Sequence, residues 1–358
     1  MTPAAYAELN RDAVQHNLAI VRNHAPNAKV MAVIKANGYG HGLLRIADAL
    51  RQVDAFAVAR VDEGVRLRKA GFNNRIAVLE GFTCSEELNQ LLHYQLDAVV
   101  HCATQLEILQ HSTASETCAV WLKLDTGMNR LGFSPREFCV AHQRLSRCAH
   151  VQQPVNLMTH FSDADEIDDD KTAEQIDLFE RTVAGLPGER SLANSAGILG
   201  WKQSLSDWVR PGVMLYGISP FPDRTGPELG LAPVMTLQSR LIAVKRIDAG
   251  HTVGYGSSWA ASEPTTLGVI AIGYGDGYPR HAKPGTPVLV NGRRVPLVGR
   301  VSMDMITVDL GKQSDAKPGD PVILWGENLA VEEIAQCADT IPYTLVCSVT
   351  QRVQVIEK

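Results

Sequence analysis

Lys35 ends a short apolar run, Val30 to Ile34, and is followed at once by Gly38, Tyr39, Gly40 and Gly42. An amine at the carboxyl end of a buried strand, walled in by apolar neighbours, can be held neutral and attack a carbonyl, which is what a Schiff-base lysine requires. By position alone, a surface lysine opening a loop is the plainer reading. Lys123, His160, Ser195 and Arg210 likewise fall at or just beyond the ends of short apolar runs. Arg130, seven residues after Lys123, brings a guanidinium fork suited to bidentate contact with a carboxylate. Taken singly, His160 reads as a satisfied core histidine, Tyr343 as core packing and Tyr255 as an aromatic in a glycine-rich loop.

The elements that must position these groups follow from hydrophobic periodicity. From Val30 to about Gly217, short apolar runs alternate with longer amphipathic stretches, the pattern of repeated βα units around a parallel sheet. Eight strands are expected: Val30 to Ile34, Ala55 to Ala59, Ile76 to Leu79, Ala98 to Val100, Ala119 to Lys123, Val155 to Thr159, Ser191 to Ala193, and Trp208 to Val209. Eight such strands suggest a (β/α)8 TIM barrel, whose active site lies at the strand carboxyl ends. An open doubly wound sheet stays possible by pattern, but no G-x-G-x-x-G fingerprint follows an early strand. After about Leu231 the texture becomes alternating and β-branched, predicting a mainly-β C-terminal domain. Val288 to Val290, Asn291-Gly292 and Val295 to Val298 carry a strong hairpin signal, since both turn residues tolerate positive φ. We therefore expect an α/β barrel domain over 1–230 and a β domain over 231–358, joined through the proline- and glycine-rich stretch Ser219 to Gly230.

The chain has 358 residues, 45% hydrophobic and 20% charged, with a net charge of −5. That composition predicts a soluble two-domain protein without disordered segments, and lacks the basic patch expected of a nucleic-acid binder. The acidic run Asp163, Asp165, Glu166, Asp168, Asp169, Asp170 reads as a solvated loop, and no metal site is expected. Seven cysteines without C-x-x-C pairs predict reduced thiols. The first residues carry no signal-peptide pattern and no stretch reaches the roughly 18 apolar residues of a membrane span, so a cytoplasmic location is expected.

The motif VIKANGYGHG closely resembles the cofactor-lysine motif of the alanine racemase family, enzymes that use pyridoxal 5'-phosphate (PLP). WLKLDTGMNRLGF at Trp121 to Phe133, THF at Thr159 to Phe161, ANSAG at Ala193 to Gly197 and DWVRPGVMLYG at Asp207 to Gly217 continue it. VGYG at Val253 to Gly256, GYGDGYPR at Gly273 to Arg280 and GRVSMDM at Gly299 to Met305 extend it through almost the whole chain, in the family's order. The resemblance implies interconversion of L-alanine and D-alanine, supplying D-alanine for peptidoglycan, by an obligate homodimer with sites shared between subunits. It also implies that the opening residues pack with the second domain.

Residue by residue, the resemblance assigns Lys35 as the cofactor lysine and one catalytic base, and Tyr255 as the second base, contributed by the partner subunit. A tyrosine beside positive charge can give up its phenolic proton and so serve. Tyr39, Ser195, Gly212, Val213 and Tyr343 would bind the cofactor phosphate. Arg210 would face the pyridine nitrogen, with His160 beside it. An arginine keeps its proton, so the ring nitrogen stays largely unprotonated and the cofactor is a weaker electron sink than with a carboxylate partner, favouring proton return over decarboxylation or transamination. Arg130 would hold the substrate carboxylate side and the cofactor's phenolic oxygen, steadied by Lys123 as a carbamylated lysine. Met303 would offer a backbone N–H to the substrate carboxylate. Gly38, where the family more often has alanine, and Ser302, where some members have cysteine, touch no catalytic group. Three other readings compete: a broad-specificity amino-acid racemase, a related PLP-dependent decarboxylase, and a PLP-binding protein without turnover.

Overall fold

The computed structural model describes residues 4–358. By chain contacts it divides into two compact units, one of Asn17–Leu215, the other of residues up to His16 together with Tyr216–Lys358.

Strand β1 (Tyr6–Leu9) belongs to the second of these. The Asn17–Leu215 unit is a closed parallel barrel of eight strands: β2 (Lys29–Val33), β3 (Ala55–Val58), β4 (Arg75–Val78), β5 (Asp97–Val100), β6 (Cys118–Lys123), β7 (Val151–Met158), β8 (Arg190–Ser191) and β9 (Trp208–Val209). β2 closes on β9 through Lys29↔Trp208 and Val30↔Val209. β3 and β5 are buried at every position, as strands covered on both faces must be, which is why β3, and β5 after its Asp97, run apolar without alternation. The barrel with its intervening helices, and the mainly-β second unit, are as expected from the sequence. Every strand end lies within two residues of expectation except one: β7 begins at Val151, four residues before the expected start, because its solvent-facing Gln152, Gln153 and Pro154 mask the strand pattern.

Polar and aromatic groups fill the end of the barrel where the strands begin. Arg75 lies over the Trp121 and Trp208 rings at 5.3 and 5.5 Å and pairs with buried Asp97 and with Glu189. Burial raises the Asp97 carboxyl above the usual range against the pull of Arg75. This packing leaves the strand carboxyl ends as the open face for chemistry.

In the other unit one sheet has the strand order β13 (Thr265–Ile270), β16 (Ile306–Gly311), β15 (Arg293–Val298), β14 (Pro287–Val290), β17 (Pro321–Trp325), β10 (Met235–Ile247), β1, β18 (Gln354–Glu357). β13 also pairs with β10, so the first six close into a ring. The expected hairpin forms with Val290↔Arg293 pairing across Asn291 and Gly292, both at positive φ. The proline- and glycine-rich stretch is tied down by Glu332, whose carboxylate accepts from Ser219 N and Gly226 N, each at 2.8 Å. A smaller strand pair, β11 (Thr252–Val253) and β12 (Trp259–Ala260), flanks the loop bearing Tyr255.

Candidate functional site

Directly after β2 the backbone turns left-handed. Ala36, Asn37, Gly38 and Tyr39 all have φ between 50 and 62°, and Gly40 follows at 81°. Left-handed helical backbone costs an L-residue about 1–2 kcal/mol, so three non-glycine residues persist there only because others hold them. Asn37 Oδ1 accepts from Leu43 N at 3.1 Å, and Asn37 O accepts from Gly42 N at 2.8 Å. The buried His41 ring places Nδ1 2.7 Å from Tyr39 O and 3.2 Å from Gly38 O. Both partners are acceptors, so Nδ1 carries a proton and donates. The turn presents Lys35, partly exposed, at the strand end and folds the Tyr39 side chain inward.

Burial lowers the His41 pKa to about 4. The folded imidazole therefore refuses a proton that the unfolded chain accepts near pH 6.5. Stability from this group is fully present above pH 6.5 and is lost as pH falls toward 4, up to about 3 kcal/mol. Urea unfolding at several pH values should show this slope. His41→Asn, which keeps a donor and removes the titration, should flatten it; an unchanged slope would assign the acid sensitivity elsewhere.

Arg210, after β9, is 4% exposed, and both terminal nitrogens of its guanidinium are held by acceptors. It donates to Ser191 Oγ and Thr159 O at 2.6 Å each, to Leu192 O at 3.1 Å, and to His160 Nδ1 at 3.3 Å. Arginine has no acceptor, so His160 Nδ1 must present a lone pair and the ring's proton sits on Nε2. Burial first, then the positive charges of Arg210, Lys123, Arg130 and Lys35, hold the His160 pKa well below its ordinary value, in agreement with a neutral ring.

Lys123 ends β6 and is buried. Its pKa is pushed down to about 8, by burial first and then by Arg210, Arg130 and Lys35, with Asp125 opposing. Four cations thus gather at the barrel's open face. Arg130 is exposed on a tight loop whose base is pinned by Asp125 N→Phe133 O and Phe133 N→Lys123 O, both 2.9 Å. Asp125 Oδ1 accepts from Gly127 N at 2.9 Å and Asn129 N at 3.1 Å, closing the loop's tip.

Ser195 opens the short helix Ser195–Gly200 after β8, and its Oγ accepts from Gly212 N at 2.9 Å and Met214 N at 3.4 Å. Val213 begins the next turn. A Cβ on Gly212 would stand 2.7 Å from the Tyr39 hydroxyl, so glycine is what lets that hydroxyl approach the backbone. The structure thus gathers Lys35, Tyr39, Lys123, Arg130, His160, Ser195, Arg210, Gly212 and Val213 at one end of one barrel.

Tyr255, Met303 and Tyr343 lie in the other unit. Tyr255 is 69% exposed between Gly254 and Gly256, both at positive φ. Met303 is 52% exposed; its carbonyl accepts from Gly275 N at 2.9 Å. Tyr343 lies in the first turn of the helix Pro342–Ser348. The sequence assigned no part to His41, Asp125, Thr126, Thr159 or Gln175, all of which hydrogen-bond within the loops that carry the site. The first four lie inside or beside the quoted motifs, so their place there was the available signal; Gln175 had none. Among the described residues no group of three or more His, Cys, Asp or Glu is placed to hold a metal ion, and no helix is long and apolar enough to cross a membrane.

Comparison with known proteins agrees with this architecture. Residues 9–220 match the family model for the alanine racemase N-terminal domain and residues 234–357 that for its C-terminal domain. The chain is 53% identical over 355 residues to an alanine racemase of Shewanella sediminis, covering 99% of each, and 54% identical over 350 residues to one of Aeromonas hydrophila, covering 98% of each. The crystal structure of the biosynthetic alanine racemase from Pseudomonas aeruginosa superposes with a TM-score of 0.97 at 42% identity, over the full length of both chains. With barrel, second unit and motifs all matched from end to end, the chain belongs to the alanine racemase family of enzymes.

Proposed function

We propose that this chain, an alanine racemase by family, interconverts L- and D-alanine with pyridoxal 5'-phosphate, using two bases at a site shared between the subunits of a homodimer. The observation that carries the reading is the crowd of Lys35, Lys123, Arg130 and Arg210 at the strand ends, opposed by Asp125. Such an excess of positive charge needs an anionic occupant, and the cofactor's phosphate and phenolic oxygen supply one.

The residues present fit that group. Ser195 and the Gly212–Val213 backbone offer a hydroxyl and N–H donors at the turns after the last two barrel strands, where phosphates bind in this architecture, and Tyr39 adds a hydroxyl from the turn after the first. Tyr343 would add a further hydroxyl. The Arg210 guanidinium, fixed by its four acceptors, would face the pyridine nitrogen, with neutral His160 behind it. When bound, the cofactor supplies an electron sink that acidifies the α-hydrogen of the amino acid.

The chain's own groups do the rest. Lys35 Nζ would hold the cofactor and, when free, would take or return a proton at Cα on one face. The phenol of the partner subunit's Tyr255 serves the opposite face. Arg130 and the Met303 N–H bind the substrate carboxylate. Lys123, with its pKa near 8, is nucleophilic enough for its nitrogen to bond to the carbon of CO2 and release one proton. The resulting carbamate would turn a cation that repels Arg130 into an anion that steadies it. Carbon-13 NMR of the folded protein in labelled bicarbonate should show a carbamate carbon that Lys123→Ala removes; the absence of that signal in the parent would overturn this.

Arg210 in place of a carboxylate disfavours the decarboxylase reading. The family role in D-alanine supply for peptidoglycan, and a cytoplasmic location, follow with the assignment. Solvent deuterium incorporation at Cα, followed by NMR with each enantiomer alongside a chiral assay, tests it. Deuterated alanine of both hands from either enantiomer is expected. Loss of CO2, or no exchange with the cofactor bound, would reject it.

A further inference from the structure

Gln175, on the helix Lys171–Val183, is 2% exposed and lies outside every motif quoted above. Its Nε2 donates to Thr126 Oγ1 at 3.1 Å, and its Oε1 accepts from Ser162 N at 3.1 Å, the single Ser162 hydroxyl proton going to the shorter contact with the Asp163 carboxylate. The Ser162 N–H can only donate, so the amide's orientation is fixed. Thr159 Oγ1 donates to Leu124 O at 3.0 Å, which leaves it the acceptor in its 2.8 Å contact with Thr126 Oγ1. The direction of every bond is therefore determined: Gln175 amide to Thr126, Thr126 hydroxyl to Thr159, Thr159 hydroxyl to the Leu124 carbonyl. Thr126 is 6% exposed and Thr159 is wholly buried, so no water competes for these groups.

The relay joins two loops that local sequence does not couple. Thr126 lies on the loop that displays Arg130, while Thr159 and Ser162 flank His160. The Thr159 carbonyl is in turn one of the four acceptors of Arg210. We infer that Gln175 is a positioning residue that sets Arg130, the carboxylate-binding group, relative to the Arg210–His160 pair. The inference rests on the racemase reading above and deepens it. A buried amide suits the task because an apolar residue of the same size would leave the Thr126 and Ser162 groups unpaired in the interior. Small misplacements of a substrate-binding group carry large kinetic penalties.

The test uses the cofactor-loaded protein and the variants Gln175→Met, Thr126→Val and the pair combined. Each single variant should raise KM for alanine about tenfold, with a smaller change in kcat. The inhibition constant of acetate, a probe of the carboxylate subsite, should rise in parallel. The double variant should be no worse than the singles, because both cut one chain. Thr126→Ser, which keeps the hydroxyl, should recover most of the loss. Lowered thermal stability with unchanged KM and acetate inhibition would make Gln175 a merely structural residue and overturn the inference. Should Gln175→Met fail to fold, Thr126→Val alone decides by the same readouts. An absence of racemisation in the parent protein would reject the functional reading, and this inference with it.

Discussion

Lys35→Ala is expected to lower racemisation by roughly 10⁴-fold or more, since it removes the covalent attachment and one of the two bases together. The left-handed turn that carries Lys35 is held by Asn37 and His41, so the variant should fold with a thermal midpoint near that of the parent. Arg210, Arg130 and Lys123 would remain to attract the anionic cofactor, now without covalent attachment. Borohydride reduction followed by peptide mapping separates these effects. The parent should carry the cofactor's mass on the peptide containing Lys35, and the variant should carry none. Mapping to another lysine, or turnover retained in the variant, would sink the assignment.

Tyr255→Phe should reduce racemisation by about 10²–10⁴-fold, the usual contribution of a positioned acid or base. Enantiomers have equal free energy, so the two directions must lose kcat/KM equally; racemisation rates alone cannot reveal which face the phenol serves. Solvent exchange at Cα can. With Lys35 intact, one enantiomer should still wash in deuterium with retention while the other is nearly inert. Equal small losses of exchange from both would remove Tyr255 from the mechanism. The phenol is 69% exposed in the single chain, a surprising place for a base unless a second subunit covers it. Mixing the Lys35→Ala and Tyr255→Phe proteins through dissociation and reassociation tests that directly. A shared site predicts recovery of about a quarter of the parent activity, because half of randomly paired dimers carry one intact site of two. A site confined to one chain predicts none.

The barrel was legible in the residues because its signals are local. Strands covered on both faces run apolar without interruption, and a lysine, histidine or arginine at the end of such a run is automatically at the active face of a parallel barrel. β7 shows the limit: Gln152, Gln153 and Pro154 are exposed residues of a real strand, and exposure erased the pattern. The resemblance of the motifs supplied the roles proposed for Tyr255, Met303 and Tyr343, which neither periodicity nor spacing would have singled out.

What the sequence determined by itself was therefore the barrel, the β unit with its Asn291-Gly292 hairpin, and the placing of Lys35, Lys123, His160 and Arg210 at strand ends. The tertiary structure alone decided the chemical state of those groups. His160 is neutral with its proton on Nε2 because Arg210, fifty positions away, donates to the other nitrogen. The Lys123 pKa is pushed down to about 8 because the closed barrel first buries the amine and then brings Arg210, Arg130 and Lys35 close to it. Gln175 matters because it reaches Thr126 from 49 positions along the chain. Secondary structure follows from neighbours in sequence, whereas protonation, tautomer and register between loops are set by Coulomb forces and hydrogen bonds acting across space. Those distances exist only once the barrel has closed.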